Sequence, residues 1–268
     1  DAIVHVLRCF EDENITHVEG RVDPLADAEV IETELMLADL DSLEKRLPAL
    51  EKKAKSNDDD AKALLKLMQP AIDLLRDGKP ARLLEVSREN RPLFRQLQLL
   101  SAKPVLYVCN VDESSAATGN AYSAQVEDKA KAEGAECVVI SAAIEAEIAQ
   151  LDDREERAAF LEEIGLEETG LARIIKAGYR LLDLITYFTA GPKEARAWTV
   201  SEGAKAPRAA GAIHTDFEKG FIRAETISYE DYLACGGEAG ARDAGKARLE
   251  GKDYTVHDGD VMHFRFNV

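Results

Sequence analysis

A short apolar run near the middle of the chain, residues 105–110, limits the possible folds more than any other feature. Five of its six residues are apolar or aromatic, and the run is too short for a helix. Pro104 stands immediately before it, where a missing N–H disturbs a sheet least. This pattern predicts a strand that is buried on both faces, as in the parallel sheet of an α/β protein.

The predicted strand ends in residues that can recognise a planar ligand. It ends at Asn110, and Glu113 follows three residues later. Ligands of open α/β sheets bind just beyond the carboxyl ends of the strands. An Asn side chain can accept a hydrogen bond from adenine N6 and donate one to N7, and Val111 could cover one face of the base. The alternative is an Asx-type turn that only ends the strand, because N-x-x-[DE] is a common string.

Composition restricts the class of protein. The 268 residues allow one large domain or two smaller ones, and 46% hydrophobic residues suffice for a core. No apolar run approaches the roughly 20 residues that cross a bilayer, so we expect no membrane association. The net charge of −17 excludes general electrostatic attraction to RNA or to anionic lipid. The charge is uneven, since residues 183–268 hold 11 Lys or Arg against 14 Asp or Glu.

The chain begins with strand-like sequence over residues 3–10, and the first candidate catalytic residue follows it. His17 lies in a loop just past the strand and could position or activate a water molecule. The alternative is a loop histidine that is hydrogen-bonded to backbone, since one histidine without partners is weak evidence. The four cysteines form no C-x-x-C pair and are interpreted as small buried thiols in a reducing cytosol.

Residues 23–80 predict a helical hairpin. The first helix opens at Asp23-Pro24 and breaks in the polar turn 56–60, and the second helix stops at residues 77–80. We expect one more helix over residues 87–100, so that an arm inserted at about 42–100 returns to the sheet. Its mixed charge indicates either simple solvation or a projecting arm that contacts a partner.

The elements that follow residue 110 favour one arrangement. A helix is predicted over residues 122–133, a buried strand over 136–140, and Ser141-Ala142-Ala143 follows that strand. This order resembles that of the base-recognition half of a P-loop G domain, and the resemblance implies that the second loop lends backbone N–H groups to the purine edge. Helices are expected over about 151–163 and 170–186.

The character of the chain changes near residue 186. Residues 186–189 and 194–200 alternate like antiparallel strands around a Gly191-Pro192 turn, residues 214–219 predict one helical turn, and further strands are expected over 221–227 and 261–266. Short strands with one or two small helices are typical of a compact β-grasp. We therefore expect two domains, residues 1–182 and residues 183–268.

These residues together resemble the YchF subfamily of Obg-like nucleotidases. The resemblance covers nearly the whole chain and is most specific in the C-terminal part. The segments that carry it are Asn110-Val111-Asp112-Glu113, Ser141-Ala142-Ala143, the helical hairpin, Ala197-Trp198-Thr199, Ala209-Ala210-Gly211, the run from Ile213 to Ala224, and Asp258-Gly259-Asp260-Val261.

The resemblance implies a fold and a function. The fold is an α/β partial P-loop G domain with an inserted helical hairpin, followed by a small α+β β-grasp domain of the TGS type. Members are cytoplasmic, Mg²⁺-dependent ATPases or GTPases that associate with ribosomes. The implied partner is the ribosome or ribosomal RNA, contacted through the TGS domain and the helical arm, with no readout of DNA sequence.

The resemblance also implies a base site that prefers ATP. Most G domains use N-K-x-D, whose carboxylate accepts hydrogen bonds from guanine. Here Val111 replaces the Lys and Glu113 the Asp. Adenine presents an acceptor at N1, so we expect the longer Glu113 to swing aside while Asn110 reads N6 and N7. The second loop, Ser141, Ala142 and Ala143, completes the site, and His17 matches the histidine that the family uses in hydrolysis.

Part of the family pattern does not occur in these residues. The sequence contains no G-x-x-x-x-G-K-[ST] string, and the similar string from Gly240 to Ala247 lacks a hydroxyl residue for Mg²⁺ and a buried strand before it. We expect about a hundred preceding residues, half a G domain, to hold the phosphate and Mg²⁺ ligands. Three hypotheses remain: a nucleoside-triphosphatase, a non-catalytic ribosome- or RNA-binding module, and an interaction protein whose G-like domain is only a scaffold. The basic residues that could line one face of that module, or could be scattered solvated charge, are Arg196, Arg208, Lys219, Arg223, Arg242, Lys246 and Arg248.

Overall fold

A computed structural model of the chain describes residues 1–15, 20–191 and 194–267. It contains two compact units, Asp1–Leu181 and Leu182–Val268. The α/β class expected from the sequence is confirmed. In the part of the chain that the structure describes, no helix has the length and the apolar character needed to cross a membrane.

The first unit is built on a three-stranded parallel sheet. Its strands are β1 (Ile3–Arg8), β2 (Val105–Asn110) and β3 (Glu136–Ile140), in the order β1-β2-β3. Every residue of β2 before Asn110 is buried, as predicted for a strand covered on both faces. One face packs against α4 (Ala121–Glu133), and Val126 and Ala130 of that helix are fully buried there. The other face packs against α7 (Gly170–Leu181) through Ala177.

The predicted helical hairpin is confirmed as α1 (Pro24–Lys55) and α2 (Asp59–Arg76). Both helices start at an aspartate: the Asp23 carboxylate accepts from the Ala26 N–H at 3.1 Å, and the Asp58 carboxylate accepts from the Ala61 N–H at 3.0 Å. The buried residues between the helices and the segment that returns to the sheet form a continuous apolar core, which contains Leu43, Met68, Ala71, Ile72, Leu75, Leu97 and Leu99.

The helix expected over residues 87–100 is wrong. The return segment contains a 3₁₀ turn (Ala81–Leu83) and the short α3 (Arg91–Arg95). Side chains of α1 bind the backbone of the following residues: Asp39 accepts from the N–H groups of Leu100 and Ser101 at 2.8 and 2.7 Å, and Arg46 donates to the Leu97 carbonyl at 2.8 Å. Because these backbone groups have tertiary partners, the segment does not continue as a helix.

The helices that complete the first unit are α5 (Ala142–Ile148), α6 (Arg154–Glu163) and α7. The prediction for α7 was too long, because this helix ends at Leu181. Asp183 has a left-handed φ of 50°, and a strand starts at Leu184. Residues 184–190 pair with a neighbouring strand over their whole length, which overrides the helical pattern read from the sequence.

The second unit contains five strands and four short helices among the described residues. They are β4 (Leu184–Ala190), β5 (Ala195–Ser201), α8 (Ala206–Ile213), α9 (Thr215–Lys219), β6 (Phe221–Ser228), α10 (Tyr229–Ala234), α11 (Glu238–Asp243), β7 (Arg248–Glu250) and β8 (Asp260–Phe266). The strands form one mixed sheet in the order β5-β4-β8-β6-β7. Strand β4 runs parallel to β8, and the other neighbours are antiparallel. Helix α8 packs on one face through Ala206, Ala209 and Ala210, which contact Tyr187 and Met262 in the core. The α+β character expected of this region is confirmed.

Candidate functional site

The two predicted base-binding loops lie side by side at the carboxyl ends of β2 and β3. Asn110 is opposite Ile140 in the sheet register, so both strands end at the same level. The Val111 N–H donates to the Ile140 carbonyl at 2.8 Å, which extends the sheet by one bond. The Asn110 side-chain Oδ1 then accepts from the Ala142 N–H at 2.9 Å. The structure therefore brings Asn110 and residues 141–143 together.

The hydrogen bond to Ala142 fixes the orientation of the Asn110 amide. Because Oδ1 accepts from Ala142, the Nδ2 group points the other way, where its two N–H donors have no partner among the described residues. Oδ1 keeps a second lone pair. The edge of the Asn110 amide thus presents one donor and one remaining acceptor beyond the end of the sheet.

Ser141, Ala142 and Ala143 form the start of α5. Ala142 and Ala143 are exposed, whereas Ser141 is 3% exposed. The Ser141 Oγ is buried and has no hydrogen-bond partner within the described residues. The predicted loop therefore offers two small exposed residues beside the Asn110 amide and one hydroxyl that is directed inward.

The segment after β2 is a compact turn held by Asp112. Its carboxylate accepts from the Ser115 N–H at 3.1 Å and from the Ser115 Oγ at 3.0 Å, and it accepts from Ser114 as well. The hydrogen bond from Ser114 is the main reason that the pKa of Asp112 lies below its usual value, and the bonds from Ser115 lower it further. Glu113 begins the 3₁₀ turn Glu113–Ser115 and is exposed.

The expectation for the Val111 side chain is not met. Val111 is 2% exposed and packs in the apolar core between the sheet and α4, together with Cys109 and Val126. A side chain in that position cannot cover the face of a bound base. The alternation of side chains along a strand explains the difference, since the pairing of Val111 with Ile140 keeps it in the sheet, on the same face as Cys109.

Two further residues fix the position of the second loop, and neither was identified from the sequence. The Glu145 carboxylate, on α5, accepts from the N–H groups of Gly170 and Leu171 at 2.6 and 3.1 Å. Gly170 permits this contact, since a Cβ there would lie 2.6 Å from the Ile140 Cγ2. The start of α7 is thereby held against the end of β3. In the sequence, this contact could have been inferred only from an acidic residue in the first turn of α5 and a glycine at the start of a later helix.

Asn120 connects the end of β1 to this edge of the sheet. Its Nδ2 donates to the Cys9 carbonyl at 2.7 Å, and its Oδ1 caps α4 by accepting from the N–H groups of Tyr122 and Ser123 at 3.0 Å each. The Cys9 N–H donates to the Asn110 carbonyl at 2.8 Å. The ends of β1 and β2 and the start of α4 thus form one hydrogen-bonded unit.

The loop after β1 leads towards the predicted catalytic histidine. Arg8 donates to the Phe10 and Ile15 carbonyls at 3.0 and 2.9 Å, and the Tyr122 hydroxyl donates to Glu11 at 2.6 Å. His17 itself lies outside the described residues.

Comparisons with known proteins decide the family. Residues 184–267 match the family model YchF-GTPase_C, described as "Protein of unknown function (DUF933)". The whole chain is 54% identical to the Ribosome-binding ATPase YchF of Bacillus subtilis (strain 168), of which it covers 74%. It is 55% identical to the Ribosome-binding ATPase YchF of Escherichia coli O157:H7, of which it covers 73%. The chain belongs to the YchF family.

The similarity to a solved YchF structure extends to the fold. The structure of the Schizosaccharomyces pombe YchF GTPase matches with a TM-score of 0.82 and 34% sequence identity. The match covers 99% of this chain and 72% of that one. The family resemblance predicted from the sequence is therefore confirmed.

In this YchF-family chain, the string that imitates a P-loop has a structural role. Residues 240–247 comprise the end of α11 and the turn after it. Arg242, in the middle of the string, pairs with Glu225 at 2.7 Å, and the Glu225 side chain is only 10% exposed. The pairing with Glu225 raises the pKa of the Arg242 guanidinium. The string therefore anchors a helix to β6.

Several basic residues of the second unit are paired with carboxylates or stacked on an aromatic ring. Lys246 pairs with Asp231 at 3.1 Å, and Arg196 stacks on the Trp198 ring at 4.2 Å. Further pairs join Arg208 to Glu218, Arg242 to Glu238 and Arg248 to Glu250. This pattern favours solvated, locally neutralised charge over one free basic face.

Candidate Mg²⁺ ligands are not found in the part of the chain that the structure describes. Among the described residues there is no group of three or more His, Cys, Asp or Glu side chains placed to hold a metal ion. The carboxylates that follow Asn110 directly in sequence are Asp112, which is bound to its own turn, and the exposed Glu113.

Proposed function

We propose that this chain is the base-binding and ribosome-contacting part of a cytoplasmic, ribosome-associated ATPase, in which Asn110 and residues 141–143 bind the adenine of ATP. The observation that carries the proposal is the hydrogen bond from the Ala142 N–H to Asn110 Oδ1 at the shared end of two parallel strands. The names of the related proteins, which describe ribosome-binding ATPases, support it independently.

The orientation of the Asn110 amide supports adenine over guanine. Its Nδ2 can donate to purine N7, and the second lone pair of Oδ1 can accept from adenine N6. Guanine carries an acceptor, O6, at the position of N6, which would face Oδ1 without a donor between them. The Ala142 N–H, which could serve O6, is already bonded to Asn110. GTP should therefore bind less tightly than ATP.

A bound adenine also needs residues that contact its flat face, and the buried Val111 cannot supply this contact. The exposed Ala142 and Ala143 are small enough to let the flat face of a base approach the start of α5. Glu113 is exposed and free to turn away from adenine N1, as its greater length compared with Asp allows. We propose that these residues contact the base without reading its edge.

For hydrolysis, we propose His17 as the residue that positions the attacking water. The support is its place in the sequence directly after the loop that Arg8 and Asn120 hold at the end of β1. The 268 residues contain no G-x-x-x-x-G-K-[ST] string, so we assign no contact with the phosphates or with Mg²⁺ to them. ATP with Mg²⁺ is the proposed substrate form.

We propose that the ribosome is contacted by the second unit and by the helical hairpin. The hairpin α1–α2 is the longest helical element, and the second unit carries the family-specific sequence. A non-catalytic ribosome-binding module remains the alternative for residues 1–268 alone, favoured by the lack of a phosphate-binding string in them.

The test is a calorimetric titration of the full-length protein with ATP and with GTP, followed by a hydrolysis assay of His17→Ala. We expect tighter binding of ATP, and in His17→Ala slower hydrolysis with nearly unchanged ATP affinity. Equal or tighter GTP binding would refute the base assignment. Unchanged turnover in His17→Ala would remove that residue from the mechanism. Ribosome co-sedimentation at rising salt, with and without the hairpin, tests the partner.

A further inference from the structure

The outer edge of β3 forms the floor of a groove. β3 is the last strand in the sheet order, and within the described part of the chain it pairs with β2 only. A cavity of about 410 Å³ lies along this edge, where Cys137, Val138 and Val139 line it. The main-chain groups on this side of β3 are therefore accessible to a further strand.

The walls of the groove differ in charge. One wall consists of Thr118, Gly119 and Glu127. The other carries a basic stripe of α7, which we define as Arg173, Lys176 and Arg180; their spacing of three and four residues puts them on one side of the helix.

Two members of the basic stripe have carboxylate partners. Lys176 pairs with Glu168 at 2.5 Å, and Arg180 pairs with Glu136 at 3.1 Å. Both cations are more than 60% exposed, so these pairs are solvated and can exchange partners readily.

Arg173 differs from the other two. Its Nε is buried, and it has no hydrogen-bond partner among the residues that the structure describes. Buried donors in folded proteins are almost always paired. A carboxylate that enters the groove would pair with this guanidinium, and a rotation of the Arg173 side chain would let the buried Nε donate to it as well.

We propose that this groove binds an extended segment of a partner protein, which adds to β3 as a further strand and places one carboxylate side chain against Arg173. Main-chain hydrogen bonds to a free strand edge supply affinity in this mode of binding, and contacts of alternate side chains supply specificity. Glu127 and Glu168 also line the groove, so the complementarity is local to Arg173 and a uniformly acidic peptide is not expected. The same two carboxylates disfavour an RNA strand at this position.

The test is selection of a random peptide library, displayed on phage, against the full-length protein, with Arg173→Gln as the counter-selected variant. We expect selected sequences with one Asp or Glu at a fixed position among β-branched residues, and no proline in the paired part. A synthetic peptide of the selected sequence should shift the backbone amide resonances of Glu136–Ile140 in the ¹⁵N-labelled protein.

The matched control is Arg95→Gln, which removes an exposed arginine from α3 in the same unit. The selected peptide should bind Arg173→Gln about tenfold more weakly and Arg95→Gln as tightly as the wild type. A Glu→Gln version of the peptide should lose affinity for the wild type, and this measurement remains decisive even if Arg173→Gln folds poorly.

Several results would overturn the proposal. They are selection without a consensus, equal binding to Arg173→Gln and wild type, equal binding of the Glu and Gln peptides, and amide shifts confined to β1 at the opposite sheet edge. A short single-stranded RNA that shifts the β3 amides at lower concentration than any selected peptide would overturn it as well, because the groove would then serve a nucleic acid.

Discussion

The Asn110 side chain has two roles, which substitutions can separate: it holds the start of α5, and we propose that it binds adenine. In Asn110→Ala, the Ala142 N–H loses its acceptor. A hydrogen bond of this kind contributes about 0.5–1.5 kcal/mol to stability, and the exposure of Ala142 lets water replace the lost partner, so we expect a cost near the lower limit. Adenine would lose a bidentate partner, which is worth about 1–3 kcal/mol. The Kd for ATP should therefore rise by a factor of about 5 to 150.

Asn110→Asp distinguishes the two roles. A carboxylate still accepts from the Ala142 N–H, so the free energy of unfolding should stay close to that of the wild type. It cannot donate to adenine N7, and its charge would repel the N7 lone pair, so ATP binding should be at least as weak as in Asn110→Ala. Asn90→Ala is the matched control, since Asn90 is exposed and its side chain makes no cap hydrogen bond to α3.

The assay is calorimetric titration of each full-length variant with ATP, combined with urea unfolding. Affinity should fall in both Asn110 variants and not in Asn90→Ala, while stability falls only in Asn110→Ala. An Asn110→Asp protein that binds ATP within about twofold of the wild type would refute the base-reading role.

Three further results are expected. Asp39→Ala should lower the free energy of unfolding in urea by about 3–5 kcal/mol, because this buried carboxylate (3% exposed) accepts three hydrogen bonds; a loss below about 1 kcal/mol would contradict this. Gly170→Ala should lower the free energy of unfolding by about 1–3 kcal/mol, because the new Cβ would meet the end of β3. Gly178→Ala, in the same helix but with open space around it, should raise the free energy of unfolding by about 0.5–1 kcal/mol. Equal effects of the two substitutions would contradict the packing argument. The hydrogen bond from the Cys109 thiol, at a sulfur–sulfur distance of 3.7 Å, lowers the pKa of Cys137. Cys109→Ala should therefore raise the pKa of Cys137 and slow its alkylation by iodoacetamide near neutral pH. Unchanged alkylation as a function of pH would argue against the bond.

Much of the architecture followed from local patterns because the local signals agree with the tertiary packing. The apolar run of β2, the aspartates that start α1 and α2, and the turn between these helices are each specified by residues adjacent in sequence. The pairing of Asn110 with residues 141–143 was predictable too, since parallel strands bring their carboxyl ends to one edge.

The errors have a common cause, which is long-range contact. The segment 87–100 has helical spacing, but the side chains of Asp39 and Arg46, on a helix distant in sequence, form hydrogen bonds with backbone groups at its end. Strand pairing shortens α7, and burial of Val111 follows from the sheet register. Periodicity in one stretch of sequence carries no information about such partners.

The supporting residues of the site were missed for the same reason. Asn120 and Glu145 act through hydrogen bonds to backbone groups 111 and 25 residues away. Each looks like an ordinary helix-start residue in the sequence. Only the fold shows that they hold the ends of three strands at one level.

The most direct test of the central claim is a crystal structure of the full-length protein with a non-hydrolysable ATP analogue. We predict that adenine N7 lies within hydrogen-bond distance of Asn110 Nδ2, that N6 lies within that distance of Asn110 Oδ1, and that the base rests beside Ala142 and Ala143. An adenine bound elsewhere, or an Asn110 amide that makes no contact with it, would contradict the account.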